Sequence, residues 1–149
     1  MDIQTIKAMF DACYQAKRIR DLLPALPKGV TPSYIHFLDI IESLEQQGMK
    51  VKVSDISDAL KLPRPGVTRT VKEMEAKGYL YKCTSTKDGR VTYLSLTEAG
   101  KQLSDLYNKQ YFSLLAPFLA SIPEEDVHCT IQTIEQFYRI ITERRISVG

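Results

Sequence analysis

The stretch SDISDALKLPRPGVTRTVKEMEAKG, residues 54–78, holds two helical patterns with almost nothing between them. Ser54 reads as the N-cap of a short helix over DISDAL, because a serine hydroxyl can accept a first-turn N–H. Leu62-Pro63 breaks that helix, since the residue before a proline is pushed out of the helical region. A second helix, PGVTRTVKEMEAKG, follows for about three turns and is closed by Gly78. A short helix, a tight connection and a longer helix make a helix-turn-helix. Proline stands in the connection, where glycine is more usual.

Downstream the period changes from helix to strand. LYKCTS (80–85) and RVTYLSL (90–96) alternate, with Lys87-Asp88-Gly89-Arg90 between them. Asp-Gly is a strong hairpin signal, since both residues tolerate positive φ. Thr97 then reads as the cap of a long helix running to about Ala120. Upstream, Thr31-Pro32 resembles an N-cap with proline at the first helical position, opening PSYIHFLDIIESLEQQG, which ends at Gly48. Ile35, Leu38, Ile41 and Leu44 share one side of it.

The chain ends carry long amphipathic helices. Ile3, Ile6, Phe10 and Cys13 form a stripe on the first, over 3–23, and PALPKGV (24–30) breaks it. The last helix, opened by Glu124, Glu125 and Asp126, carries Val127, Ile131, Ile134, Tyr138 and Ile141 at alternating spacings of four and three. The expected class is mainly α with a small β-hairpin wing. A winged helix-turn-helix lobe spans 31–97, with the helix-turn-helix at 54–78 and the wing at 80–96. The chain ends, 1–24 and 98–146, form a helical dimerisation region, and 1–149 is one domain. The long end helices leave too little protein in one chain to cover their apolar faces, so the expected state is a homodimer.

Charge is concentrated in the middle. From Lys50 to Arg90 there are ten basic and five acidic residues, a balance of +5 in a chain whose net charge is +2. The remainder is therefore −3, and the basic segment is a local footprint for a polyanion. On the second helix of the motif, Val67, Val71 and Met74 fall within about 40° of one direction and face the core. Pro65, Arg69, Lys72 and Ala76 fall opposite, and Thr68 lies at about 100°. That outward face can enter a major groove: Arg69 suits the two acceptors of guanine, Thr68 a phosphate or thymine methyl, and Lys72 a phosphate.

The residues resemble the MarR family of bacterial transcriptional regulators most strongly from Val30 to Gly100. The matching pieces are VTPSYIHFLDII, VSDISDALKL, VTRTVKEMEAKGYL and the wing DGRVTYLSLTEAG. The ending Leu96-Thr97-Glu98-Ala99-Gly100 after an Asp-x-Arg wing is specific to that family. The resemblance implies a dimer on a pseudo-palindromic double-stranded DNA operator, usually with repression. It implies release by a small aromatic or phenolic effector bound between the lobes. Thr68 and Arg69 match the family's recognition-helix pair, Arg90 its minor-groove arginine, and Asp88 the acid that holds that arginine.

Two departures narrow the reading. Pro65 and Gly66 stand where polar residues are usual, so base reading shifts to Arg64, Thr68 or Arg69, and Gly66 permits close backbone approach. Gly89 stands where a second arginine is common. Lys87 joins Asp88 and Arg90 as a wing contact. Tyr14, Tyr34, His36, Tyr107 and Tyr111 are candidate effector-pocket residues. Cys13 sits where thiol-sensing relatives keep a reactive cysteine, but its place in the apolar stripe favours a buried core thiol. Cys83 and Cys129 read as structural.

Other classes are weaker. Three cysteines far apart, without nearby histidine, support neither a disulfide framework nor a zinc site. There is no phosphate-binding glycine motif and no triad, and His36 and His128 lack evident partners, so no enzyme, cofactor or metal is expected. The N-terminus mixes charged and apolar residues and does not read as a signal peptide. No apolar run is long enough to span a membrane, and the expected location is the cytoplasm. A protein-binding or non-specific architectural winged helix remains the competing reading, as does a thiol-oxidation sensor acting through Cys13.

Overall fold

The structure is a computed structural model that describes residues 1–148. Its helices are α1 (Ile3–Asp21), α2 (Pro32–Gln46), α3 (Val53–Leu60), α4 (Arg64–Ala76), α5 (Glu98–Ser104), α6 (Tyr111–Leu115) and α7 (Glu124–Glu143). Between α4 and α5 lies an antiparallel hairpin, β1 (Leu80–Thr84) and β2 (Thr92–Leu96), in a register running from Leu80↔Leu96 to Thr84↔Thr92. Val51 adds a single bridge to Leu94 outside the hairpin.

Local chemistry sets most of these boundaries. Asp2 caps α1, its carboxylate accepting the Thr5 N–H at 2.7 Å. Thr31 occupies the N-cap of α2 with Pro32 behind it, but its hydroxyl makes no capping bond. α3 differs from expectation: it starts at Val53, so Ser54 lies inside the helix. The Asp55 carboxylate, at the third helical position, instead reaches back to accept the N–H of the N-cap residue Lys52 at 2.7 Å. The turn of the motif needs a left-handed residue, and Lys61 supplies it with φ 53°. Ser57, buried in that turn, donates its hydroxyl to the Leu62 carbonyl at 2.5 Å.

The core lies entirely between Val30 and Leu103. Tyr34, Phe37, Leu38 and Ile41 of α2 meet Ile56 of α3, Val67, Val71 and Met74 of α4, and Leu80, Leu94 and Leu96 of the hairpin. Ile35 and Leu44 are only partly buried at its edge. Tyr34 and Phe37 are the further α2 residues buried in it.

The helix after the wing is continuous in direction but not in hydrogen bonding. Asp105–Gln110, between α5 and α6, is a π segment, and Ala116–Leu119 ends the run as a 3₁₀ turn. α5 buries Gly100, Leu103 and Ser104, whereas α1, α6 and α7 bury no residue. The seam residues Val127, Ile131, Ile134, Tyr138 and Ile141 are all exposed, and so are Ile3, Ile6 and Phe10. α1 and α7 touch where Phe10 and Phe137 meet edge to face at 5.6 Å. Cys13 is half-buried on α1 rather than a core thiol, because the stripe it belongs to is open to solvent; Cys83 and Cys129 are exposed.

Candidate nucleic-acid interface

α4 presents the face its periodicity predicts. Val67, Val71 and Met74 are buried, while Arg64, Pro65, Arg69 and Lys72 are exposed and Gly66 and Thr68 half-exposed. Pro63 holds the N-cap position in extended conformation, and the helix begins one residue earlier than expected, at Arg64. Thr70 turns its hydroxyl onto the Gly66 carbonyl at 3.1 Å, which removes it from the outward face. The helix thus offers three cations and one hydroxyl outward, from a backbone pinned on its other side by the core.

Its two carboxylates are both engaged. The Tyr34 hydroxyl donates to Glu73 Oε2 at 3.1 Å, and Lys82 on β1 pairs with Glu75 at 2.5 Å. Burial, and then the Glu73 carboxylate that accepts its proton, raise the Tyr34 phenol above its ordinary value. Sequence reasoning placed Tyr34 in an effector pocket. It is instead 3% exposed, with its ring edge-on to Tyr79 at 6.4 Å.

The junction of α4, wing and α5 is held by the Thr97–Gly100 segment. Gly78, at φ +77°, ends the α4 turn in a conformation that side chains disfavour. The Thr97 hydroxyl donates to the Gly78 carbonyl at 2.5 Å and accepts the Gly100 N–H at 3.1 Å, while the Thr97 N–H bonds the Tyr79 carbonyl at 3.1 Å. A Cβ on Gly100 would collide with that same Tyr79 carbonyl. Thr97 and Gly100 therefore fix the wing against α4 and need no nucleic-acid contact to explain them.

The wing tip is built from side-chain bonds, not from positive φ. Neither Asp88 nor Gly89 is left-handed, so the two-residue turn implied by Asp-Gly does not form. A longer loop joins the strands. The Ser85 hydroxyl accepts the Lys87 and Asp88 N–H groups at 3.2 and 3.3 Å, and the Val91 N–H returns to the Asp88 carbonyl at 3.0 Å. Asp88 Oδ1 accepts the Arg90 backbone N–H at 3.0 Å. It thus holds Arg90 by the main chain. Among the described residues the two side chains form no ion pair, and the Arg90 side chain stands exposed. Ser85 was not singled out from sequence; a serine three residues before an aspartate in a turn is the signal that finds it.

A cleft of about 840 Å³ opens where α1, α2 and the π segment meet, lined among others by Leu23, Leu26, Val30, Ile35, His36, Tyr107, Tyr111 and Phe112. His36, Tyr107 and Tyr111 are the three pocket candidates it brings together. Tyr14 is exposed on α1 and does not line it; Tyr34, on the far side of α2, does not either. The Tyr107 hydroxyl donates to the Ala25 carbonyl at 3.1 Å, and Asn108 Nδ2 donates to the Ile35 carbonyl and to Ser104 Oγ, each at 3.1 Å. No three metal-ligating side chains cluster among the described residues, and no described helix is long and apolar enough to cross a membrane.

Residues 28–91 match the model of the MarR family. The chain is 29% identical over 108 residues to the HTH-type transcriptional repressor MdtR of Bacillus subtilis (strain 168), an alignment covering 72% of this chain and 67% of that protein. The structure of Streptococcus pneumoniae FabT in complex with DNA superposes with a TM-score of 0.68 at 21% identity, over 95% of this chain and 99% of that one. A MarR/EmrR family transcriptional regulator from Acinetobacter sp. ADP1 gives 0.69 at 19% identity, over 97% and 100%. At such identities the structural likenesses establish the fold.

Proposed function

We propose that the chain, whose residues 28–91 match the MarR family model, is a DNA-binding transcriptional regulator of that family rather than an enzyme, a repressor acting as a homodimer on a pseudo-palindromic operator and released by a small-molecule effector. One observation carries the reading: the exposed Arg64, Arg69 and Lys72 of α4 stand on the same lobe as the exposed Arg90 of the wing, with every acidic residue of α4 engaged elsewhere. Thr68 and Arg69 read bases in the major groove. Pro65 and Gly66 let the start of the helix approach closely. Arg90, steadied by Asp88 and accompanied by Lys87, enters a minor groove whose negative potential rises as it narrows.

The dimer is supported by the exposed apolar seam on α7 and the exposed stripe on α1, faces that a single chain leaves in water. An isologous pairing of chain ends also spaces two recognition helices for successive major grooves. The effector site is the cleft, whose volume falls within the usual range for small molecules and whose walls combine apolar side chains with His36, Tyr107 and Tyr111. An aromatic or phenolic molecule fits that lining.

The test is selection of duplexes from a random library, followed by titration against the selected and a scrambled duplex at several salt concentrations. A preference of ~10³ or more supports the regulator. Arg64, Lys72, Lys87 and Arg90 from each of two protomers imply a log–log salt slope of about −7. Equal binding to both duplexes would leave only an architectural role.

A further inference from the structure

α4 carries Arg69 and Glu73 four residues apart. On a helix such residues are neighbours, and an acid and a base at that spacing attract one another. If Glu73 paired with Arg69, it would occupy the guanidinium that the proposed function assigns to base reading. Among the described residues no such pair forms. The Glu73 carboxylate is turned the other way and accepts the Tyr34 hydroxyl at 3.1 Å.

Tyr34 is well placed to keep it there. Its ring is 3% exposed in the core of the lobe and is braced edge-on by Tyr79. A buried ring leaves the hydroxyl little freedom, so the bond is held from the scaffold side. α2 carries this tyrosine on one side and Ile35 and His36, which line the cleft, on the other. Lys77, just past the end of α4, leans on the same region: its Nζ lies 2.9 Å from where a Cβ on Gly29 would stand, in the loop whose Leu26 and Val30 also line the cleft.

We infer that Tyr34 is a positioning residue for DNA recognition: it engages Glu73 and so keeps Arg69 available to bases. The inference rests on the reading of α4 as the base-reading helix.

The test uses the full-length protein, a duplex selected by it from a random library, and a scrambled duplex. Tyr34→Phe removes only the hydroxyl and keeps the ring. It should weaken binding to the selected duplex about 1.4- to 2.3-fold for each protomer, the strength of one i,i+4 ion pair, and reduce the preference over the scrambled duplex. Adding Glu73→Gln, which removes the competing charge, should restore binding to within measurement of the unaltered protein. In an Arg69→Ala background Tyr34→Phe should have no further effect. A purely structural role for Tyr34 predicts no rescue by Glu73→Gln. Unchanged binding in Tyr34→Phe, or a double variant no better than the single, overturns the inference alone. If Arg69→Ala itself leaves the preference intact, the base-reading assignment falls and the inference with it.

Discussion

Two glycines of this chain should respond to the same substitution in opposite directions. Gly100 is buried in the first turn of α5, and an alanine Cβ there would run into the Tyr79 carbonyl, with Leu38 at an ordinary contact distance of 3.5 Å. The obstacle is backbone, so no rotamer change relieves it. Either α5 must lift away, or the Tyr79 peptide must turn and give up its bond from the Thr97 N–H. Overpacking of this kind costs about 1–3 kcal/mol, and a lost backbone bond about 1 kcal/mol more. The helical preference of alanine over glycine returns about 0.5 kcal/mol here, because the site lies in the first turn. Gly100→Ala should therefore lower stability by about 1.5–3.5 kcal/mol. Gly66 is the control: it has no neighbour within 4 Å of its would-be Cβ, and its φ is negative. Gly66→Ala should gain about 0.5 kcal/mol, a little below the mid-helix value because the site lies in the first turn. Urea unfolding followed by far-ultraviolet circular dichroism separates the two, at one fixed protein concentration because dimerisation shifts apparent stability. With a slope of about 2 kcal/mol per molar, Gly100→Ala should lose about 0.8–1.8 M in midpoint. An unchanged or raised midpoint would refute the steric account of this position. DNA titration adds a second contrast. Gly66→Ala should bind the selected duplex more weakly although it is more stable, since its new methyl stands on the turn proposed to approach DNA.

Other variants probe the interface directly. Arg69→Ala should cost about 1–3 kcal/mol on the selected duplex and less on a scrambled one; equal losses contradict base reading. Arg90→Ala should flatten the salt slope by about 2 for a dimer and lose most affinity at A·T-rich flanks, and an unchanged gel-shift titration would remove the wing from the mechanism. Sedimentation at micromolar concentration should give a dimer, and Phe137→Asp, beside Phe10, should shift it toward monomer; a monomeric unaltered protein would sink the interface assignment. Tyr34 also makes a pH prediction. Its folded pKa is raised above the ordinary phenol value of 10.0, so its contribution is complete below the unfolded value and is lost as pH rises through the folded one. Tyr34→Phe should flatten the fall of stability above about pH 10, and identical alkaline curves would show that this phenol is not coupled to folding.

What the sequence made legible follows how far apart the cooperating residues lie. The helix-turn-helix was readable because its period, breaks and closing glycine are local, and Val67, Val71 and Met74 are buried as their 100° spacing requires. The Asp88-Gly89 turn was misread for a related reason. Its dipeptide signal is real, but Ser85 and Asp88 supply side-chain acceptors that close a longer loop without positive φ. Lys61 shows the converse: a left-handed position exists, but no glycine marks it. Tyr34 was beyond sequence reasoning altogether. Helical periodicity can say that a tyrosine at 34 shares a helix with His36, but not that its hydroxyl meets a carboxylate 39 residues later. That contact matters because charge arguments from sequence treat each side chain as pointing outward. Glu73 counted so is a liability on a helix proposed to face DNA; counted with Tyr34 it keeps its charge but is turned away from Arg69. What the hydrogen bond decides is where that charge points, and no count of acidic and basic residues along the sequence contains that information.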